Sequence, residues 1–189
     1  MSELSVGSLS GLAANSYVID VASGSRLTQP GMIVAVKDAL FTGTQSASVT
    51  AGSNVAVTDL SITHEVADAS NKLIISAFLG VAANSTGYGN VGLAIHDGTG
   101  LIAIGDAADT RTQVSAGGNV AGTLTDQIVT MPSITFVHTP GAGSKTYTVR
   151  AINLRADTRT VYINRSQSDT DNAGRTRGVS SIVIQEVAV

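Results

Sequence analysis

Histidines, paired carboxylates and clustered arginines are the side chains through which this chain could do chemistry. His64, His96 and His138 fall far apart, each on or beside a different apolar run. That spacing lacks the short ligand intervals of a zinc motif. His64-Glu65 and His96-Asp97 each set an acid next to a histidine. Adjacent residues on a strand point to opposite faces, so neither pair is a ready dyad. There is no G-x-S-x-G elbow to present a nucleophilic serine. The segment Ser168-Asp169-Thr170-Asp171-Asn172-Ala173-Gly174 fits part of a calcium-loop pattern, but Ala173 and Ser180 stand where an oxygen ligand and a bidentate Glu belong. A polar loop is the plainer reading. No catalytic residue, metal site or cofactor is expected.

The arginines are the most informative charges. All but Arg26 and Arg111 lie between Arg150 and Arg177: Arg150, Arg155, Arg159, Arg165, Arg175 and Arg177. A guanidinium forms planar, bidentate contacts and is weakly hydrated, which suits interfaces. The alternative is a solvated face paired with Asp157, Asp169 and Asp171. The sequence also echoes itself, Ala108-Asp109-Thr110-Arg111-Thr112 returning as Ala156-Asp157-Thr158-Arg159-Thr160. Asp-Thr is good turn chemistry and the flanks of the two copies differ, which favours recurrent turns over a functional repeat.

The elements that must position these residues are strands. Met32–Val36 and Leu73–Leu79 are near-continuous apolar runs, and the second reads as a strand buried on both faces. Val55 and Val57, then Leu60 and Ile62, alternate with polar residues across a one-residue slip. Val91–His96 and Leu101–Ile104 flank Asp97-Gly98-Thr99-Gly100, a hairpin signal. Ile134–His138, Tyr147–Ile152, Val161–Asn164 and Val179–Val187 complete about nine strands, with no helical periodicity between them. The pattern predicts an all-β fold, an antiparallel β-sandwich of jelly-roll-like form over residues 32–189. Residues 1–31 differ in character. Leu4, Val6, Leu9 and Leu12 are spaced through small residues, followed by the short β-like run Tyr17, Val18, Ile19, Asp20 and Val21. They predict an extended N-terminal arm.

Composition bounds the partners. Among the 189 residues only 13% are charged, against roughly 25% in an average soluble domain. So few charges cover a solitary surface poorly, which points to an oligomer or an assembled particle. A net charge of −3 argues against non-specific nucleic-acid binding. There is no cysteine, no apolar run long enough to span a membrane and no visible signal peptide. Synthesis in a cytoplasm is therefore expected, with no membrane partner.

From about Asp59 to Val189 the sequence resembles the C-terminal β-sandwich domain of structural proteins of tailed bacteriophages, especially marine and cyanobacterial phages. The likeness rests on an ordered set of motifs. Leu60-Ser61-Ile62-Thr63 and Asn71-Lys72-Leu73-Ile74-Ile75 open it. Ile95-His96-Asp97-Gly98-Thr99 and Ile104-Gly105-Asp106 follow, where the family tends to carry an Arg-Asp-Gly hairpin. Tyr147-Thr148-Val149-Arg150 and Val161-Tyr162-Ile163-Asn164-Arg165-Ser166 come next, and Gly178–Glu186 matches the family's finish. The resemblance implies a trimeric, non-enzymatic sandwich displayed on a phage particle. Family members often cap long fibres, whereas here only the short arm precedes the sandwich. A capsid decoration (cement) protein on the outer surface of the phage head is therefore expected. Its arm would bind the major capsid protein through Leu4, Val6, Leu9, Leu12, Tyr17, Val18, Ile19 and Val21, and the arginines are a possible interface. The alternative is a short head or tail fibre tip that binds a receptor.

Overall fold

A computed structural model of the chain describes residues 29–84, 88–121 and 127–189, and among them it is built of strands and turns only. The strands are β1 (Ile33–Phe41), β2 (Gln45–Val49), β3 (Asn54–Val66), β4 (Lys72–Phe78), β5 (Val81–Ala83), β6 (Tyr88–His96), β7 (Leu101–Ile102), β8 (Ala116–Ala121), β9 (Ser133–His138), β10 (Gly143–Asn153), β11 (Arg159–Ile163) and β12 (Ser180–Val187). They form three sheets. The first runs β1-β12-β4-β9, the second β3-β10-β6-β7 with β8 also on β6, and the third β2-β11-β5. Every pairing is antiparallel. The fold is the antiparallel β-sandwich expected from the alternation.

The core lies where the inward faces of the sheets meet. Leu73, Ile75, Ile182 and Ile184 from the first sheet pack with Leu60, Ile62, Leu93, Ile95, Tyr147 and Val149 from the second. These positions recur every second residue, the period that puts side chains on one face of a strand. The slip between Val57 and Leu60 is a β-bulge. Pairing with β10 jumps from Thr148↔Ser61 to Arg150↔Ala56, and Asp59 takes a φ of 59°. The bulge returns Leu60 to the interior, so both Val57 and Leu60 are buried.

The first and third sheets are joined at a seam. β1 and β4 run on past Gly43 and Gly80 into β2 and β5, while the central place passes from β12 to β11. Asn164, fully buried with a φ of 57°, ties the seam. Its amide donates to the carbonyls of Phe41 (2.7 Å) and Gly43 (3.0 Å), and its Oδ1 accepts from Ser180 Oγ (2.6 Å). Ser180 Oγ accepts in turn from Gly80 N at 2.9 Å. A Cβ on Gly80 would lie 2.9 Å from Asn164 Oδ1, so the close approach requires glycine.

The outer edge of β3 is closed by side chains. Gln45 accepts from Thr58 N (2.8 Å) and donates to Ala56 O (3.0 Å), so its amide stands in for a strand residue. Lys37 Nζ donates to Thr63 O at 2.8 Å farther along the same edge. Unpaired strand edges invite unwanted pairing, and here that edge is occupied.

Candidate interaction surfaces

The outer face of the first sheet follows from its register. With Ala39, Leu73, Ile75, Ala77, Ile182, Ile184, Ile134 and Phe136 turned inward, the alternate residues form rows across the four strands. Leu40, Ser181, Phe78 and Ser133 make one row; Asp38, Val183, Ser76 and Thr135 the next; Val36, Gln185, Ile74 and Val137 the third. Val36, Leu40 and Val137 are 57%, 57% and 62% exposed. Asp38 is the one charge in these rows, and Lys72 follows beside Val187. The Leu73–Leu79 run therefore differs from its sequence reading. Leu73, Ile75 and Ala77 are buried, while Ile74, Ser76 and Phe78 are only partly buried, on a face that no described strand covers. The outer face of the second sheet contrasts with it, carrying hydroxyl pairs such as Ser61–Thr148 (3.0 Å) and Thr63–Thr146 (2.9 Å).

The histidines serve structure. His64 Nε2 meets Glu186 Oε2 at 2.8 Å across the sandwich, and Glu186 Oε1 accepts from Asn71 Nδ2 (2.6 Å) and Ala67 N (3.0 Å). Burial pushes the Glu186 carboxyl up, but donation from Asn71, Ala67 and His64 outweighs it and the net direction is down. The His64–Glu186 distance suits a base and its orienter. At 3% and 1% exposure, however, the pair is sealed from any substrate.

His96 Nδ1 accepts from Gly98 N (3.0 Å) within the 97–100 turn. Gly98 holds a φ of 95° there, as the sequence signal requires. Burial raises the Asp97 carboxyl, yet bonds from Thr99 and Gly100 hold it at about 2. His138 packs edge-on against the Tyr147 ring at 5.9 Å. Burial lowers the His138 value and Lys145 adds to this, with Asp97 opposing. Tyr147 is pushed up to about 12 by burial and by the charge of Asp97, so it stays protonated. Among the described residues no serine or threonine hydroxyl hydrogen-bonds a histidine, and no three potential ligands group to hold a metal.

The six arginines do not form one patch. Arg159 makes a bidentate pair with Asp157 (2.7 and 2.9 Å) and also donates to Asn84 O. Arg177 pairs likewise with Asp169 (2.8 and 3.0 Å). Arg165 lies 3.6 Å from Asp169 and stacks on the Tyr162 ring at 4.5 Å. Arg150 donates to Asn54 Oδ1 at 3.2 Å on the side of β10 away from the core. Arg175 N bonds Asn172 O in the turn that closes the Asp-rich loop. Arg155 comes only within 3.9 Å of Asp157. Asp169 of the calcium-like segment is thus committed to arginines. The arm positions Leu4, Val6, Leu9, Leu12, Tyr17, Val18, Ile19 and Val21 lie outside the described residues. The described chain begins at Gln29 beside the first sheet, where Gly31 N bonds Ala188 O (2.8 Å).

No known protein-family profile matches the chain, and no curated protein matches its sequence. Two solved structures are similar to it at a distance. One is the structure of the infectious bursal disease virus Gx strain, with 14% identity and a TM-score of 0.40, the match covering 91% of this chain and 42% of that one. The other is the crystal structure of the infectious bursal disease virus VP2 subviral particle, with 15% identity and a TM-score of 0.25, over 82% of this chain and 42% of that one. The chain spans less than half the length of either, and neither likeness is close enough to say what it does.

Proposed function

We propose that this protein is a non-enzymatic structural component of a virion, a trimeric capsid decoration (cement) protein that stabilises the head shell. The observation that carries the reading is the outer face of the first sheet. A sequence run patterned for burial on two faces is covered by described residues on only one, and the other face presents exposed Val36, Leu40 and Val137 beside the partly buried Ile74, Phe78 and Val183. A contiguous apolar face of this kind marks a surface that meets protein. The partner assigned to it is a second copy of this chain, the three faces being buried within the trimer.

The low charge of the whole chain supports the same reading, because a surface shared with copies needs little solvation. In this reading residues 1–31 reach onto the major capsid protein. Strand addition and apolar contacts from Leu4, Val6, Leu9, Leu12 and Tyr17–Val21 hold them there, and many weak contacts over a symmetric shell add by avidity. Arg150, Arg155, Arg159, Arg165, Arg175 and Arg177 supply polar contacts at the rim.

Deleting residues 1–22 tests this placement. The truncated protein should stay trimeric and lose its binding to capsids; decoration by the truncated trimer would contradict it. Antibody labelling of purified virions separates cement from a fibre tip. Label spread over the head supports cement, and label confined to a tail or a vertex supports the fibre tip.

A further inference from the structure

The Thr110-Arg111-Thr112 stretch of the first echo faces the residues that lead into the second, Leu154-Arg155-Ala156, across one cleft. A cavity of about 500 Å³ at one end of the sandwich is lined by Ala51 and Gly52, by Thr110, Arg111 and Thr112, and by Leu154, Arg155 and Ala156. No carboxylate lines it. The Arg111 side chain makes no hydrogen bond or ion pair with any described residue. Among the described carboxylates Arg155 approaches Asp157, at 3.9 Å, and both oxygens of that group are already taken by Arg159. Arg155 Nε is buried without a hydrogen-bond partner. Two of the eleven basic residues of an acidic protein thus line one cleft, Arg111 without an acid among the described residues and Arg155 with a carboxylate it must share with Arg159.

The walls are fixed in advance. Asn153, fully buried, donates through its side chain to Val49 O (2.9 Å) and Asp157 O (2.7 Å) and accepts from Arg155 N (2.9 Å). Its backbone exchanges bonds with Gly52 and Ser53. The opposite loop is tied by Gly105 N to Val114 O (3.2 Å) and by Gln113 Nε2 to Gly105 O (2.6 Å). Such ties fix the backbone from which both arginines project, which lowers the entropic cost of ordering the cleft around a ligand.

We propose that this cleft binds an oxoanion, a carboxylate, sulfate or phosphate group. Arg111 and Arg155 supply the charge through their planar forks, and the Thr110 and Thr112 hydroxyls complete the donor set. The cleft shares Arg155 with the proposed rim contacts, but its test uses free anions in solution and does not depend on the virion reading.

The full-length protein is titrated by calorimetry with inorganic phosphate, sulfate and glucuronate, chloride holding ionic strength constant. Saturable binding of at least one anion, one per chain, is expected. Arg111→Ala and Arg155→Ala should each weaken it at least about tenfold and the double variant abolish it, with Lys145→Ala as the unaffected control. Tighter binding of glucuronate than of phosphate identifies a carboxylate ligand, and the reverse order a phosphoryl or sulfuryl one. The proposal is overturned if no anion saturates the wild-type protein in the millimolar range, or if binding survives loss of both arginines. The wild-type titration decides even if a variant folds poorly.

Discussion

Asn164 and Glu186 show how much single buried polar residues do in this sandwich. Asn164 satisfies two carbonyls and a hydroxyl at the seam while holding a backbone conformation that asparagine tolerates better than most residues. Asn164→Ala should cost about 2–3 kcal/mol, measured by urea unfolding. Asn164→Gly, which keeps the conformation and loses the bonds, should recover little of it; full recovery would assign the effect to the backbone alone. Glu186 makes stability depend on pH. Its value in the fold lies below the ordinary 4.5, so its contribution is complete above pH 4.5 and is lost as pH falls through the folded value. Asp97, held at about 2 against 3.8, acts in the same direction at still lower pH. The melting temperature should therefore drop on acidification below pH 4.5. Glu186→Gln should lower stability at neutral pH by about 2 kcal/mol and flatten the decline, and an unchanged slope would remove Glu186 from the account. Neither residue was legible in the sequence. Asn164 reads as the end of a strand, and Glu186 finds His64 across a separation of 122 residues.

Among the elements, the strongly alternating strands were legible and the weakly apolar ones were not. β4, β12 and most of β10 carry buried residues at every second position, the signal that alternation reads, and β6 is an apolar run buried throughout Val91–Ile95. β2 (Gln-Ser-Ala-Ser-Val), the three-residue β5 and the glycine-bearing β8 lack it, and their pairing with β11 and β6 comes from tertiary context. The cleft was half legible. The echo that holds Thr110, Arg111 and Thr112 was visible in sequence, but only the folded backbone brings that stretch opposite Arg155. β2 also supplies Gln45, the amide that closes the edge of β3. Gln45→Ala should cost about 1 kcal/mol and speed hydrogen exchange at the Thr58 amide, whose acceptor it removes. Unchanged exchange at Thr58 would show that this edge is protected by other means. In the β6–β7 hairpin, Gly98→Ala should cost about 1 kcal/mol in thermal unfolding, because a Cβ disfavours a φ of 95°.

For the whole molecule, a chain with few charges folds into a sandwich whose second sheet wears paired hydroxyls and whose first sheet exposes valine and leucine. That asymmetry is the physical basis for the assembly proposed through one face. Sedimentation equilibrium of the full-length protein, alone and with Leu40→Lys and Val137→Lys combined, tests it most directly. Both residues are more than half exposed, so the substitutions leave the core untouched. The wild type should sediment at three times the 19.1 kDa chain mass and the double variant as a folded monomer. A wild-type protein that stays monomeric, or a trimer indifferent to both lysines, would contradict the central claim.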